Sequence, residues 1–186
     1  MDLMEALRGR RTIRDYTAET VVPALVSELI DAAILAPSAM NLQPWAFAVI
    51  EGAERLAGYS ARAKQSMLAT LPDDPALAKL RGHLEDPSFQ MFYHAPVLLV
   101  VCATSDEAQA KEDSCLAAQN LMLAAHGRGL GTGWIGLARS WLDGAEVKAE
   151  LGIPADWSVV APLIVGHPKA EVPPTPRAAA RIVWSR

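Results

Sequence analysis

Pro96-Val97-Leu98-Leu99-Val100-Val101-Cys102-Ala103 is the most constraining segment of this chain, because it holds an uninterrupted apolar run of strand length. Such a run is typical of a β-strand that is buried on both faces, whereas a strand with one solvated face alternates apolar and polar residues. We therefore predict a strand over residues 96–103 that lies in the centre of a sheet.

The segments around this strand predict a long helix, two more strands and one irregular stretch. Residues 106–128 have the length of a helix and are apolar on nearly every side between residues 115 and 125, so this helix needs packing partners on several sides, including a second subunit. Residues 45–50 and 159–165 predict further buried strands. Residues 72–88 are polar and contain prolines, and we expect an irregular, mobile segment there that could serve as a lid.

Composition limits the class of protein. The chain has 186 residues, which fit one compact domain, and it is 51% hydrophobic with only 20% charged residues, an apolar balance that favours a homodimer. No apolar run reaches the roughly 18 to 20 residues that cross a bilayer, and the chain does not open on a charged segment followed by an apolar one. We therefore expect a cytoplasmic protein with no membrane partner.

A net charge of -4 without a long basic face argues against nucleic acid as a partner. The histidines and cysteines lack the spacing of metal ligands.

The turn after the first predicted helix concentrates positive charge. Arg8, Arg10, Arg11 and Arg14 lie close together, with the hydroxyl of Thr12 between them. Arginine matches phosphate oxygens with paired, charge-assisted hydrogen bonds, so one interpretation is an anion site. The other is a solvated basic turn that stabilises the negative end of the helix dipole. The segment alone does not choose between them.

The loop Pro37-Ser38-Ala39-Met40-Asn41-Leu42-Gln43-Pro44 offers hydroxyl and amide groups between two prolines. These groups suit the edge of a planar heterocycle that carries alternating N–H and C=O groups. The alternative is an ordinary helix stop followed by a turn.

A run of glycines at positions 127, 129, 131 and 133 does not match a dinucleotide-binding fingerprint, because these glycines leave a helix and enter a strand instead of the reverse. They could bring bare backbone of residues 133–136 close to a flat ligand, or Gly127 or Gly129 could cap the helix. A nucleophile elbow, a His-Glu-x-x-His motif and a phosphate loop are all absent from the sequence, which excludes the usual hydrolase, metalloenzyme and kinase patterns.

Five stretches of the chain, in the same order, resemble the FMN-dependent nitroreductase family: residues 10–16, 36–45, 118–125, 129–136 and 165–168. The resemblance implies an α+β fold in which a mixed β-sheet is flanked by helices. It also implies an intertwined homodimer with C-terminal arm exchange and two FMN molecules at the subunit interface. The whole chain, 1–186, would form a single nitroreductase-like FMN-binding domain.

The resemblance also assigns the cationic part of a cofactor site. Arg10, Arg11 and Thr12 would hold the FMN phosphate and ribityl chain, together with Arg177 near the C-terminus. Arg14 would lie near the pyrimidine end of the flavin as electrostatic support, since positive charge favours the reduced anionic ring.

The remaining cofactor-binding positions would surround the flavin ring. The backbone of Ile135 and Gly136 would face flavin N5 and O4. A basic residue that is common in the family before the phosphate-binding arginine is replaced by Thr175 and Pro176, so Arg181 is an alternative to Arg177. The ring would be lined from the partner subunit by Pro37, Ser38, Ala39, Asn41 and Gln43.

The function that this resemblance implies is an FMN-dependent oxidoreductase. It would use NADH or NADPH to reduce a nitroaromatic, a quinone or a similar flat acceptor by a ping-pong hydride mechanism, with the flavin and no catalytic side chain doing the chemistry. The alternative is a flavin-binding or storage protein, or a relative with other flavin chemistry such as reductive dehalogenation or flavin cleavage. Residues 52–94 contain no matching motif, which leaves the acceptor open. The apolar side chains there belong to a lid or to the core: Tyr59, Met67, Phe89, Met91, Phe92 and Tyr93.

Overall fold

The strand predicted from residues 96–103 occupies an inner position of the sheet in the computed structural model, which describes residues 2–185. The helices are α1 (Leu3–Gly9), α2 (Pro23–Ala33), α3 (Ala53–Thr70), α4 (Ala78–Glu85), α5 (Ala108–Gly127), α6 (Arg139–Leu142) and α7 (Ala145–Leu151). The strands are β1 (Trp45–Glu51), β2 (Val97–Ala103), β3 (Gly131–Trp134) and β4 (Ser158–Gly166). Short 3-10 turns cover Ala39–Asn41, Pro75–Leu77 and Gly136–Ala138.

The four strands form one sheet in the order β1-β2-β4-β3, and each neighbouring pair is antiparallel. The predicted α+β class is confirmed. The expected mixture of strand directions is confined, within residues 2–185, to a single parallel bridge between Thr12 and Thr132 on the outer edge of β3.

Two hydrophobic layers cover the sheet. All seven residues of β2 and all nine of β4 are buried, as a strand covered on both faces requires. Alternate side chains of β2 point to opposite faces, one set packing on α2 and α5 and the other on α3, α4, α6 and α7. The helix α5 thus lies on the sheet along one side and on α2 along another.

The C-terminal end of α5 is closed by a glycine. Gly129 adopts a left-handed conformation (φ 76°), and the N–H of Leu130 donates to the carbonyl of Ala125 at 2.9 Å. This is the hydrogen-bond pattern of a glycine-terminated helix, so the interpretation of Gly129 as a helix cap is confirmed.

The prediction of an irregular segment over residues 72–88 is wrong for its central part, which forms a 3-10 turn and α4. Asp74 caps the turn by accepting from the N–H of Ala76 at 2.8 Å. Leu84 is fully buried, and Arg81 donates to the carbonyls of Leu71 and Pro72. The polar composition of this segment therefore reflects the solvated face of a short helix.

Gly131 and Gly133 of β3 make room for the extended segment that follows the arginine turn. A Cβ at Gly133 would lie 2.8 Å from the carbonyl oxygen of Ile13, and one at Gly131 would lie 2.5 Å from Ile13 Cγ1. The N–H of Ile13 donates to the carbonyl of Thr132 at 2.9 Å. These glycines thus make room for a neighbouring segment of the protein. The sequence suggested instead that Gly133 could bring the backbone close to a ligand.

We expect Gly133→Ala to lower the free energy of unfolding by about 1–3 kcal/mol, because the new methyl group would push the backbone of Ile13 away from β3. Urea unfolding followed by circular dichroism measures this change. Gly58→Ala is the matched control, since no atom lies within 4 Å of a Cβ there and a helical glycine is weaker than alanine by about 0.5–1 kcal/mol. A Gly133→Ala protein as stable as Gly58→Ala would contradict the packing role of this glycine.

Candidate functional site

The arginine turn lines a cavity of about 720 Å³ at the C-terminal end of α5. Three stretches form its wall: residues 9–13, residues 126–132 and residues 168–174 of the C-terminal arm. The cavity therefore combines backbone and side chains that are far apart in the sequence, which is typical of a ligand site.

Three guanidinium groups converge on this region. Arg10 is half-buried, and burial lowers its pKa, as do the positive charges of Arg177 and Arg11. Within residues 2–185 none of these arginines forms an ion pair with a carboxylate, although Glu171 also lines the cavity. A cluster of like charges without a counter-ion favours the binding of an anion.

The side chain of Arg11 is held by the backbone around it. Its Nη1 donates to the carbonyls of Arg8 and Arg10 at 2.6 and 2.8 Å, and its Nε donates to the carbonyl of Pro173 at 3.3 Å. A guanidinium has five N–H donors, so some remain for a ligand. Thr12, the next residue, is exposed.

His126 belongs to this cluster, although the sequence gave no sign of it. Its Nε2 lies 2.5 Å from the position that a Cβ would take on Gly9, so the imidazole packs directly under the turn. Burial lowers the pKa of His126, and the charges of Arg10 and Arg11 lower it further. The absence of a side chain at Gly9 is the one sequence feature that allows this contact.

The loop at residues 37–43 has an unusual backbone. Met40, Asn41 and Gln43 all have positive φ angles, between 51° and 56°, which non-glycine residues adopt rarely. The loop is stabilised from within, since Gln43 donates its N–H to Ser38 Oγ at 2.9 Å and its Nε2 to Asn41 Oδ1 at 3.1 Å. Such rigid, strained loops occur preferentially at ligand sites.

A buried carboxylate attaches this loop to α5. The N–H of Ala39 donates to Asp113 Oδ2 at 3.1 Å, and Gln109 donates to the other oxygen at 3.2 Å. Asp113 is only 3% exposed, so this anchor is protected from water. Pro37, just before it, is exposed at the surface.

The loop and the arginine turn are thus held at opposite ends of α5. Asp113 and His126 lie roughly 20 Å apart along the helix at about 1.5 Å per residue. Within one protomer the predicted ring-lining residues and the predicted phosphate-binding residues are consequently separated.

Of the backbone N–H groups of Ile135 and Gly136, just beyond β3, that of Gly136 is the one available to a ligand. The N–H of Ile135 donates to the carbonyl of Pro162 at 2.8 Å, so this group is not available to a ligand. Gly136 is exposed, has open space where a side chain would be, and begins a 3-10 turn, where the first N–H groups lack acceptors in the turn.

Arg14 lies apart from the other arginines. Its guanidinium carbon is 5.7 Å from the centre of the Tyr93 ring, in a cation–π arrangement. Of the aromatic residues in the unmatched middle of the chain, Phe92 and Tyr59 are buried in the core, whereas Phe89 and Tyr93 are partly exposed.

Residues 2–185 contain no group of three or more His, Cys, Asp or Glu side chains arranged to hold a metal ion. Among the helices of this described range, none is both long and apolar enough to cross a bilayer.

Comparisons with known proteins agree on one family. The model of the Nitroreductase family matches residues 7–167. The 5,6-dimethylbenzimidazole synthase of Rhodospirillum rubrum is 34% identical over 189 residues, which cover 92% of this chain and 85% of that protein. A Methanothermobacter thermautotrophicus protein, provisionally named NADH dehydrogenase/NAD(P)H nitroreductase, is 33% identical over 141 residues, 74% of this chain and 62% of that protein. The chain thus spans less than two thirds of the archaeal relative's length.

A solved structure is similar over the full length. The nitroreductase with bound FMN from Bacteroides fragilis superposes with a TM-score of 0.86 at 25% identity and covers 100% of both chains.

We expect inorganic phosphate to raise the pKa of His126, because an anion held by Arg10 and Arg11 would offset the charges that now lower it. The lowered pKa favours the neutral imidazole in the folded chain. This group therefore stabilises the fold fully above its ordinary pKa of about 6.5, and the stabilisation is lost as the pH falls through the folded value. A histidine NMR titration with and without phosphate measures the change, with sodium chloride at equal ionic strength as control. The same His126 titration curve in both salts would contradict an anion site beside it.

Proposed function

The chain belongs to the nitroreductase family, and we propose that it is an FMN-dependent oxidoreductase that uses NADH or NADPH to reduce flat acceptors such as nitroaromatics or quinones. One observation carries this proposal: Arg10 and Arg11 line a single cavity, Arg177 lies near Arg10, and none of the three has a carboxylate partner among residues 2–185. The FMN bound to the similar B. fragilis protein supports the same cofactor.

The residues present fit a flavin mononucleotide. Its phosphate monoester carries about two negative charges at neutral pH, and charge-assisted bonds from several guanidinium groups would hold it. In this proposal the hydroxyl of Thr12 is a further donor. The guanidinium of Arg181 is the alternative to that of Arg177. When bound, FMN would supply a ring that takes a hydride from the nicotinamide and passes electrons to the acceptor.

The protein's own task is to hold and to polarise the ring. Arg14 would place positive charge beside the pyrimidine end, where negative charge accumulates on reduction. Gly136 would offer its N–H to the ring edge. Ser38, Asn41 and Gln43 would line the ring from a loop whose shape is set in advance. None of these tasks requires an acid–base pair.

We further propose that the site is completed by a homodimer. In an isologous pair of antiparallel α5 helices, the Asp113 end of one protomer would meet the His126 end of the other. The loop of one subunit would thereby reach the arginine turn of its partner. The exposed face of α5 supports this pairing, because Leu116 is 46% exposed near the middle of the helix and the neighbouring Cys115 is exposed as well.

The C-terminal arm supports an exchange between subunits. Beyond Arg177 the exposed apolar side chains Ile182, Val183 and Trp184 have no core to join, with Val183 at 96% exposed. The outer edge of β1 pairs with no other strand in residues 2–185. An arm that leaves Arg177 beside its own Arg10 and then crosses to the partner would cover apolar surface on both chains.

A second candidate is chemistry that consumes the flavin or stores it. The match to the R. rubrum 5,6-dimethylbenzimidazole synthase favours a reaction other than the reduction of flat acceptors, since it covers 92% of this chain at an identity similar to that of the nitroreductase-named relative. Direct reduction by a nicotinamide separates the two candidates.

We expect NADPH or NADH to bleach the flavin spectrum of the FMN-loaded protein under anaerobic conditions, and a nitroaromatic or quinone to restore it. Anaerobic visible spectroscopy with stopped-flow mixing measures both half-reactions. Free FMN with the same nucleotide is the control. A bound flavin that neither nucleotide reduces would overturn the reductase and leave the storage or flavin-consuming candidate.

We expect Leu116→Arg to produce monomers that bind FMN at least about tenfold more weakly, because a charge in the middle of the α5 face would separate the two halves of the site. Light scattering gives the oligomeric state and fluorescence quenching gives the FMN affinity. Leu116→Met, which keeps the surface apolar, should remain dimeric with unchanged affinity. A monomeric Leu116→Arg protein that retains full FMN affinity would contradict a site shared between two subunits.

A further inference from the structure

A second cavity, of about 410 Å³, lies on the Arg14 side of the extended segment, away from the arginine cluster. Its wall combines residues 14–16 with residues 88–90, with Tyr93 and His94, and with Lys169 of the arm. Because Arg14 is also the residue proposed to face the pyrimidine end of the flavin, this cavity borders the redox site. We call it the Arg14 groove.

One end of the Arg14 groove is cationic. Arg14 is exposed and, within residues 2–185, pairs with no carboxylate. Lys169 is paired with Asp15 at 3.7 Å, but both side chains are more than half exposed, so this ion pair is weak and a ligand carboxylate could compete for the ammonium group. His94 also lines the groove. Arg14 and Lys169 outnumber the single carboxylate of Asp15, so the groove favours the binding of an anion.

Aromatic rings form another part of its wall. Tyr93 lies under the Arg14 guanidinium and meets Phe89 edge to face, with ring centres 5.9 Å apart. His83 stacks behind Phe89 at 3.8 Å and supports that ring from outside the groove. Tyr93 and His94 both have positive φ angles (53° and 56°), a strained backbone conformation for residues other than glycine. Such a surface suits a flat ligand.

We propose that the Arg14 groove binds flat aromatic carboxylates, and that the electron acceptors of this protein are accordingly aromatic acids; the second statement rests on the proposed function. The cations of Arg14 and Lys169 recognise a carboxylate, and Tyr93 and Phe89 recognise a ring. A small inorganic anion would leave the rings unused, and a neutral aromatic would leave the charges unused.

The test uses benzoate, which has no reducible group, and benzyl alcohol, its neutral counterpart. Each is titrated by calorimetry into the FMN-loaded full chain without nicotinamide. One variant probes the groove: Lys169→Gln removes an exposed charge without threat to folding. Lys79→Gln, an exposed lysine of α4 outside the groove, is the matched control.

We expect benzoate to bind about tenfold or more tightly than benzyl alcohol, as one charge-assisted hydrogen bond allows. Lys169→Gln should weaken the binding of benzoate about three- to tenfold and leave the binding of benzyl alcohol unchanged. Turnover should follow the same order, with a higher kcat/KM for 4-nitrobenzoate than for 4-nitrobenzyl alcohol.

Benzoate that binds no better than benzyl alcohol would overturn the proposal. An equal loss of benzoate affinity in Lys79→Gln and Lys169→Gln would overturn it as well. The failure of the proposed function has a different signature. Selective benzoate binding together with a flavin that neither NADH nor NADPH reduces would uphold the groove and remove only its role in electron transfer.

Discussion

Close contact between the Ile13 segment and the glycines of β3 positions the arginines of the candidate site. Only glycine at 131 and 133 lets the backbone of Ile13 lie against the strand, and the N–H of Ile13 then bonds to Thr132. The same segment is fixed further on, where the N–H of Thr17 donates to the carbonyl of His167 at 2.9 Å. The segment thereby covers the exposed edge of the sheet and carries arginines at defined places along it.

The electrostatics follow from that geometry. The chain is acidic overall, yet three guanidinium groups and a histidine share one end of α5, where burial and the mutual repulsion of these groups lower the pKa values of Arg10 and His126. An isolated cluster of this kind opposes folding, and a bound anion relieves it. The opposite end of α5 carries the loop that suits a ring, held by a buried carboxylate. One helix therefore separates the two proposed recognition elements, and the two-fold partner of the proposed homodimer would bring them together.

Sequence patterns were sufficient where they reflect local chemistry. The apolar run at residues 97–101 predicted a central strand, and Gly129 predicted the end of a helix. Patterns failed where a contact between distant segments decides the outcome. Nothing local indicates that His126 lies under Gly9, that Asp113 holds Ala39, or that the N–H of Ile135 is taken by Pro162.

The central claim is that the arginine turn recognises a phosphate monoester, and comparing FMN with riboflavin tests it most directly, because the two differ only in that group. Isothermal titration of the cofactor-free protein with each compound, at two salt concentrations, gives the measurement. We expect FMN to bind roughly a hundredfold or more tightly than riboflavin, as two charge-assisted bonds of about 1.5 kcal/mol each would produce, with the difference shrinking at high salt. Equal affinities for FMN and riboflavin would contradict the account.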